Sequence, residues 1–222
     1  MTATPDRHPG RSDTGLVIHW ALRYDFMLWA RSLGRERAFR SELLDLAGLS
    51  AGASVLDVGC GSGTLAIAAA RRVGPTGNVH GIDPSPEMIA RARRKAQKAA
   101  VATDFQTAAA QKLPFPDGRF DVVLSTLVLH QIPHEALSMC ASEMRRVLRP
   151  GGRLLAVDID PADPRNPSWT SHTHHGARAS FSLSNVVPLL THVGLKEVDS
   201  GRIKFRFVRL ERMRYVIAVA LE

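Results

Sequence analysis

Apolar residues recur at helical spacing through residues 16–47, in two segments broken near Leu33–Gly34, and Ala51–Gly52 then turns the chain. The period changes at Ser54–Val58, a short apolar run that predicts a strand with Asp57 at its end. Thr64–Val73 is rich in alanine and closed by Gly74–Pro75, which predicts a helix and its stop. Val79–Ile82 reads as a second strand, running into Asp83. Ser85 stands where a side-chain cap is needed for a helix over residues 85–99. Asp104–Ala108 is a weak strand, and Phe120–Ser125, introduced by the turn Pro116–Asp117–Gly118, is a strong one. A helix over His134–Leu148 stops at Pro150–Gly151–Gly152, and Arg153–Ile159 is again a strand.

Such alternation of strand and helix predicts an α/β fold with a parallel sheet and helices on both faces. The pattern then shifts. Pro161–Arg178 is a polar loop bearing Pro and His, Leu183–Val193 a helix ended by Gly194, and Lys196–Val208 and Arg214–Ala220 two strands that read as an antiparallel pair. Seven strands result, mostly parallel.

With 45% hydrophobic residues in a chain of 222, one core of ordinary size can be buried, which excludes general disorder. No apolar run reaches the ~18 residues of a spanning helix. Met1–Asp13 is polar and lacks the apolar centre of a secretory signal. The two cysteines, Cys60 and Cys140, are too few for a disulfide framework, so a reducing, cytoplasmic setting is expected. The net charge of +8 raises nucleic acid as a partner. Against that, the densest basic runs, residues 91–95 and 145–149, lie on amphipathic helices without the interleaved aromatics on which bases stack.

The most specific local signal is Val55-Leu56-Asp57-Val58-Gly59-Cys60-Gly61-Ser62-Gly63, a strand running into three glycines and a helix. Glycines there permit a tight turn and a close approach of ligand to backbone. No Lys-Ser/Thr follows the last glycine, which excludes a Walker phosphate loop. The spacing G-x-G-x-G also differs from the dinucleotide fingerprint. Asp57 would repel a pyrophosphate and suits a ligand carrying an ammonium group. Asp83, in Gly81-Ile82-Asp83, is placed to accept from ribose hydroxyls. Ribose recognition, an ammonium-seeking loop and no phosphate chemistry together point to S-adenosyl-L-methionine.

The chain resembles the class I S-adenosylmethionine-dependent methyltransferases, especially the branch with the ubiquinone/menaquinone C-methyltransferases. Besides the glycine loop, the resemblance rests on Gly81-Ile82-Asp83-Pro84-Ser85-Pro86-Glu87-Met88, on Leu113-Pro114-Phe115-Pro116-Asp117-Gly118-Arg119-Phe120-Asp121-Val122-Val123, and on Arg146-Val147-Leu148-Arg149-Pro150-Gly151-Gly152-Arg153-Leu154. It covers residues 16–160 well and 180–220 loosely. It implies a Rossmann-like seven-stranded sheet, mostly parallel, with helices on both faces and an antiparallel C-terminal strand pair. Residues 1–14 would be a flexible tail and 15–222 a single domain. Within that domain, 15–50 would form a helical lid, 51–160 the cofactor core, and 161–222 the substrate-side loop, helix and terminal strands.

Carried over residue by residue, the resemblance assigns Asp57, Gly59, Cys60, Gly61 and Gly63 to the methionine end of S-adenosyl-L-methionine. Asp83 takes the ribose, and Pro84 and Met88 flank the adenine. Ser125 faces the methionine portion, and Tyr24 closes over the cofactor. Ala109, in Ala108-Ala109-Ala110-Gln111, stands where the family carries an adenine-binding Asp. The backbone of Ala109 or Ala110 is left to meet adenine, with Gln111, Gln106 or Asp104 as substitute acceptors. For a general base the candidates are His130, Asp158 and Asp160 at the strand ends, and His172, His174 and His175 in the loop beyond. No metal is expected, since no carboxylate or cysteine completes the His-x-His-His cluster. Trp20, Tyr24, Phe26, Trp29 and Phe39 form either a lid over an apolar acceptor or a seam between helix and sheet. The expected activity is methyl transfer to a small, partly apolar or aromatic molecule, by a monomer or homodimer. A nucleic-acid methyltransferase and a repurposed, non-methylating member of the fold stand as alternatives.

Overall fold

The computed structural model describes residues 11–12, 15–16, 36–159, 181–203 and 213–222. Two short strands, β1 (Arg11–Ser12) and β2 (Gly15–Leu16), pair antiparallel, so Leu16 is extended rather than the first residue of a helix. Helix α1 (Glu36–Leu46) follows. The central unit comprises β3 (Ser54–Val58), α2 (Thr64–Val73), β4 (Asn78–Asp83), α3 (Pro86–Lys98), β5 (Asp104–Thr107), β6 (Phe120–Thr126), α4 (Leu137–Val147) and β7 (Leu148–Ile159). Beyond it lie α5 (Val187–His192), β8 (Leu195–Arg202) and β9 (Met213–Ala220).

The seven-stranded sheet has the order β5-β4-β3-β6-β7-β9-β8. All pairings from β5 to β7 are parallel, and β9 pairs antiparallel with both β7 and β8, as the sequence predicts. From β3 the chain winds one way through β4 and β5, then returns to the other side of β3 as β6. This reversal opens a crevice at the carboxyl ends of β3 and β6, where open α/β sheets hold ligands. Register brings Asp57 beside Gly81 and Leu124, Val58 beside Ser125, and Asp83 beside Thr107.

Each face of the sheet buries its own core. On one, α1, α2 and α3 contribute Leu43, Leu44, Leu65, Ala69, Ile89 and Ala92 against Val55, Leu124 and Phe105. Phe39 packs against this core, which is the seam reading for the one aromatic of its group among the described residues. On the other face, α4 and α5 contribute Leu137, Met144 and Leu190 against Leu56, Phe120 and Leu154. Alanine at Ala66, Ala69 and Ala70 lets α2 lie close to the sheet. Ser85 caps α3 by accepting from the Met88 amide at 3.3 Å, with Pro86 in the first turn.

Expected boundaries move in three places, the first being the helix expected over 134–148, which opens as a 3-10 turn, His134–Ala136, before α4 begins at Leu137. The segment Pro150–Gly152, expected as a turn, lies within β7, where Leu148 pairs with Phe120 and Arg153 with Val122 across a bulge. The helix expected over 183–193 is a 3-10 turn, Leu183–Asn185, followed by the short α5. The hypothesised strand end at 204–208 and the loop 161–178 fall outside the described residues.

Two loops meet above the crevice. Gly59 has φ +71°, and a Cβ there would stand 2.2 Å from Val128 Cγ2. Leu127, also left-handed at φ +61°, starts the turn that carries Val128. Gly59→Ala therefore combines αL strain with a steric clash, and a loss of about 2–4 kcal/mol is expected in urea unfolding. Gly61→Ala, with nothing within 4 Å of its Cβ, is expected to lose only about 1–2 kcal/mol, from strain alone.

Candidate functional site

The glycine loop is pinned at several points. The Cys60 amide donates to the Ile82 carbonyl at 2.8 Å, and the Gly63 amide to the Cys60 carbonyl at 2.9 Å. Gly61 donates to Asp83 Oδ2 at 3.0 Å, and the Ser85 amide to Asp83 Oδ1 at 2.9 Å. Each Asp83 oxygen thus holds one backbone donor and retains lone-pair capacity for a ligand hydroxyl. Burial raises the Asp83 pKa, opposed by those two amides. Sequence reasoning treated Asp83 as a ligand residue and missed that it also holds the loop.

Asp57 is only 2% exposed. The Ala66 amide in α2 bonds its carboxyl, while Oδ2 is buried with no partner among the described residues. Burial pushes the pKa up to about 7, opposed by the Arg40 guanidinium and the Ala66 amide, and Asp83 pushes it further up. Arg40, on α1, was not singled out from the sequence. Its own ion pair is with Glu36. Ser125 is 1% exposed, and neither its Oγ nor the Thr126 Oγ1 has a partner among the described residues. Orphaned polar atoms cost about 1–3 kcal/mol each when buried, and three of them gather at the carboxyl ends of β3 and β6. Lys95 of α3, likewise unforeseen, donates to Ser62 Oγ at 2.8 Å and Thr64 Oγ1 at 2.7 Å and braces the loop from the side.

The expected adenine side divides. Pro84 is half-buried, whereas Met88 is 1% exposed and packs into the core, leaving little surface for a ring. Ala109–Gln111 forms a turn in which the Lys112 amide donates to the Ala109 carbonyl at 3.1 Å. The Ala108 amide donates to the Asp83 carbonyl at 3.2 Å, which sets this turn beside Asp83. Asp104 does not serve as a substitute acceptor. It opens β5 opposite His80, three residues and roughly 10 Å upstream of the edge where Thr107 meets Asp83. Gln106 is also engaged, donating to Asp104 at 3.0 Å.

Cys60 is buried, and its thiol pKa is driven well up by burial and then by Asp57 and Asp83, so it is no nucleophile. His130 sits in a 3-10 turn after β6, and its Nδ1 lies 2.6 Å from Asp158 Oδ1. Asp158, near the end of β7, is fully buried and is therefore not a solvated base. Tyr24, Asp160, His172, His174 and His175 lie outside the described residues.

A methyltransferase domain family matches residues 55–152. The ubiquinone/menaquinone biosynthesis C-methyltransferase UbiE of Burkholderia mallei is 30% identical over 209 residues, covering 94% of this chain and 81% of that protein. UbiE of Burkholderia thailandensis matches equally. Among solved structures, a SAM-dependent methyltransferase from Aquifex aeolicus aligns at TM-score 0.68 and 23% identity, over 82% of this chain and 89% of that one. The [4+2]-cyclase SpnF aligns at TM-score 0.70 and 20% identity, over 83% and 81%.

The raised Asp57 pKa has a sign that can be measured. Folded Asp57 keeps its proton up to about pH 7, whereas the unfolded chain releases it near 3.8. Below both values the group costs nothing. As pH rises between them the unfolded state gains, and the full cost is present above about pH 7. Asp57→Asn, which keeps an acceptor for the Ala66 amide, should match the wild type at pH 4. It should exceed it by about 2–4 kcal/mol at pH 8 in denaturant titrations without ligand.

Proposed function

The chain belongs to the class I S-adenosylmethionine-dependent methyltransferases, and we propose that it methylates a small, partly apolar or aromatic molecule by direct displacement. The observation that carries this reading is the buried, half-satisfied Asp57 carboxylate beneath an open glycine loop. A carboxyl oxygen without a donor among the described residues fits the cofactor's ammonium, whose charge would favour the ionised form of Asp57, and Asp83 with spare lone pairs fits vicinal hydroxyls. The residues present therefore suit S-adenosyl-L-methionine, which when bound supplies an electrophilic methyl group on a sulfonium.

In this reading Asp57 and the backbone of Gly59, Cys60, Gly61 and Gly63 hold the methionine end. Ser125 meets the same portion, Asp83 holds the ribose, and Pro84, Ala109, Ala110 and Gln111 border the adenine. His130, His174 and His175 take the catalytic roles, and Tyr24 closes over the cofactor. Residues 51–160 bind the cofactor, while 15–50 and 161–222 shape the acceptor side of a single domain. The Burkholderia relatives are named for ubiquinone/menaquinone biosynthesis, and a small aromatic acceptor agrees with the aromatic Phe181 beside His130. A nucleic-acid acceptor has weaker support. A groove of about 430 Å³ between α1 and α2 carries Arg37, Arg40, Arg71 and Arg72, but Arg40 is paired with Glu36 and Arg72 with Asp45. Among the described residues no helix is long and apolar enough to cross a membrane.

Calorimetry with S-adenosyl-L-methionine, followed by mass detection of methylated product from a panel of phenols, quinols, amines and thiols, tests the proposal. Asp83→Ala should weaken cofactor binding at least ~10-fold, since a bond to a charged group contributes about 1.5–3 kcal/mol. Unchanged affinity removes Asp83 from the site. Ala109→Asp should tighten binding by about 1 kcal/mol, because a carboxylate would then reach the adenine amino group and Asp104 is too distant to oppose it. Equal or weaker binding by a folded variant shows that the turn does not face adenine.

A further inference from the structure

The groove of about 430 Å³ between α1 and α2 plays no part in the methyl-transfer reading. Arg37, Arg40 and Leu44 line it from one face of α1, and Ile67, Ala68 and Arg71 from one face of α2. Leu44 and Ile67 are buried, which makes the floor apolar, while Arg37 and Arg71 are exposed and stand at the rim. Two of the four guanidiniums in the groove are already committed. Arg40 pairs with Glu36, and Arg72 pairs with Asp45 and donates to Ser41 Oγ at 2.8 Å. Arg37 and Arg71 make no ion pair or side-chain hydrogen bond among the described residues. Arg40 also keeps a buried Nε without an acceptor among them. Helix stability does not account for this arrangement. Arg71, in the last turn of α2, suits the helix dipole, but Arg37, in the first turn of α1, opposes it.

We propose that this groove is a second ligand site, separate from the cofactor crevice, and that it binds the dianionic head of a small phosphate monoester whose apolar body rests on Leu44, Ile67 and Ala68. Charge sets the head group. Two uncompensated guanidiniums match a phosphate monoester, which carries about −1.5 to −2 at pH 7, whereas a carboxylate would neutralise only one of them. Geometry agrees, because each guanidinium presents paired donors that fit phosphate oxygens, and the Arg40 Nε–H adds a further donor. Size sets the rest. From Thr64 to Arg71 the α2 wall is roughly 10 Å long, enough for one phosphate and one ring. The volume is that of a small-molecule pocket rather than the long track of a nucleic acid or the flat contact of a bilayer.

Calorimetry of the full chain at physiological salt tests this, with phenyl phosphate, inorganic phosphate and benzoate as probes. Phosphatidylglycerol vesicles and a duplex oligonucleotide supply the same phosphate chemistry from larger sources. Phenyl phosphate should bind with a dissociation constant of ~1 mM or tighter. It should exceed by about 5-fold or more both inorganic phosphate, which lacks the apolar body, and benzoate, which carries a single charge. Arg37→Gln and Arg71→Gln, at exposed positions, should each weaken it about 10-fold or more. Arg94→Gln, an exposed arginine of α3 outside the groove, should leave it within about 2-fold, since distant surface charges are screened. Equal losses in all three variants would mean a diffuse positive field and no site, which overturns the proposal. Absence of binding by the wild type, or tighter binding of vesicles or duplex than of the monoester, overturns it as well. So does full displacement of phenyl phosphate by S-adenosyl-L-methionine, which would make the groove part of the cofactor site. Phenyl phosphate binding by a chain that takes up no S-adenosyl-L-methionine would remove the methyl-transfer reading and leave this second site standing.

Discussion

A side chain on residue 59 has nowhere to go. Its Cβ would lie 2.2 Å from one Val128 methyl and 2.9 Å from the other, on a backbone already in the left-handed region. This close approach packs the loop after β3 directly against the turn after β6. One presents the open backbone of Gly61, the other carries His130. A methyl transfer by in-line displacement depends on the relative placement of two reactants, and that placement supplies much of the acceleration. The glycine thus serves alignment between two strand ends as much as it serves the turn itself.

Around that contact the fold accepts local cost. Asp57 is fully buried at the carboxyl end of a central strand, with one amide donor, a distant guanidinium and an unpartnered oxygen. Ser125 and Thr126 add two more orphaned hydroxyls one strand away. A chain selected for stability alone would place apolar groups at these positions. They are held in place by the two cores on either side, whose aliphatic and aromatic residues are almost entirely excluded from water. Binding sites draw on such reserves, and a cationic ligand that satisfied Asp57 would return part of the cost as affinity.

Local chemistry made most of the frame legible. Strands bounded by glycine and proline, an alanine-rich helix stopped at Gly74, and a helix capped by Ser85 each declare themselves within a few residues. What escaped notice depends on tertiary neighbours. Arg40 acts on Asp57 through its charge from helix α1, Lys95 reaches Ser62 from 33 positions away, and Asp158 meets His130 from 28. No spacing rule spans such separations. Asp104 shows the converse error, for its residue type was right and its end of the strand was wrong. A parallel strand exposes its acceptors at one edge only, so three residues of register decide whether a carboxylate faces ligand or histidine. Fold likeness itself stops short of activity, as SpnF, a cyclase on the same architecture, makes plain.

The excess of arginine over lysine acquires a structural meaning once the contacts are followed. Arg146 donates to the carbonyls of Leu113 and Phe115 at 3.1 and 2.8 Å and to Asp117 at 2.7 Å. Glu143, which Arg146 also holds, accepts from the Leu113 amide. The segment before β6 is thereby stapled to α4. Arg93 places two donors on the Phe105 carbonyl of the edge strand β5, and Arg145 bonds the carbonyls of Gly194 and Leu221. A lysine ammonium lacks the planar fork that spans several acceptors at once. Guanidiniums committed to carbonyls and carboxylates in this way are withdrawn from any phosphate backbone. Part of the +8 charge is therefore internal scaffolding, and a basic composition gives correspondingly less reason to place a nucleic acid at the crevice.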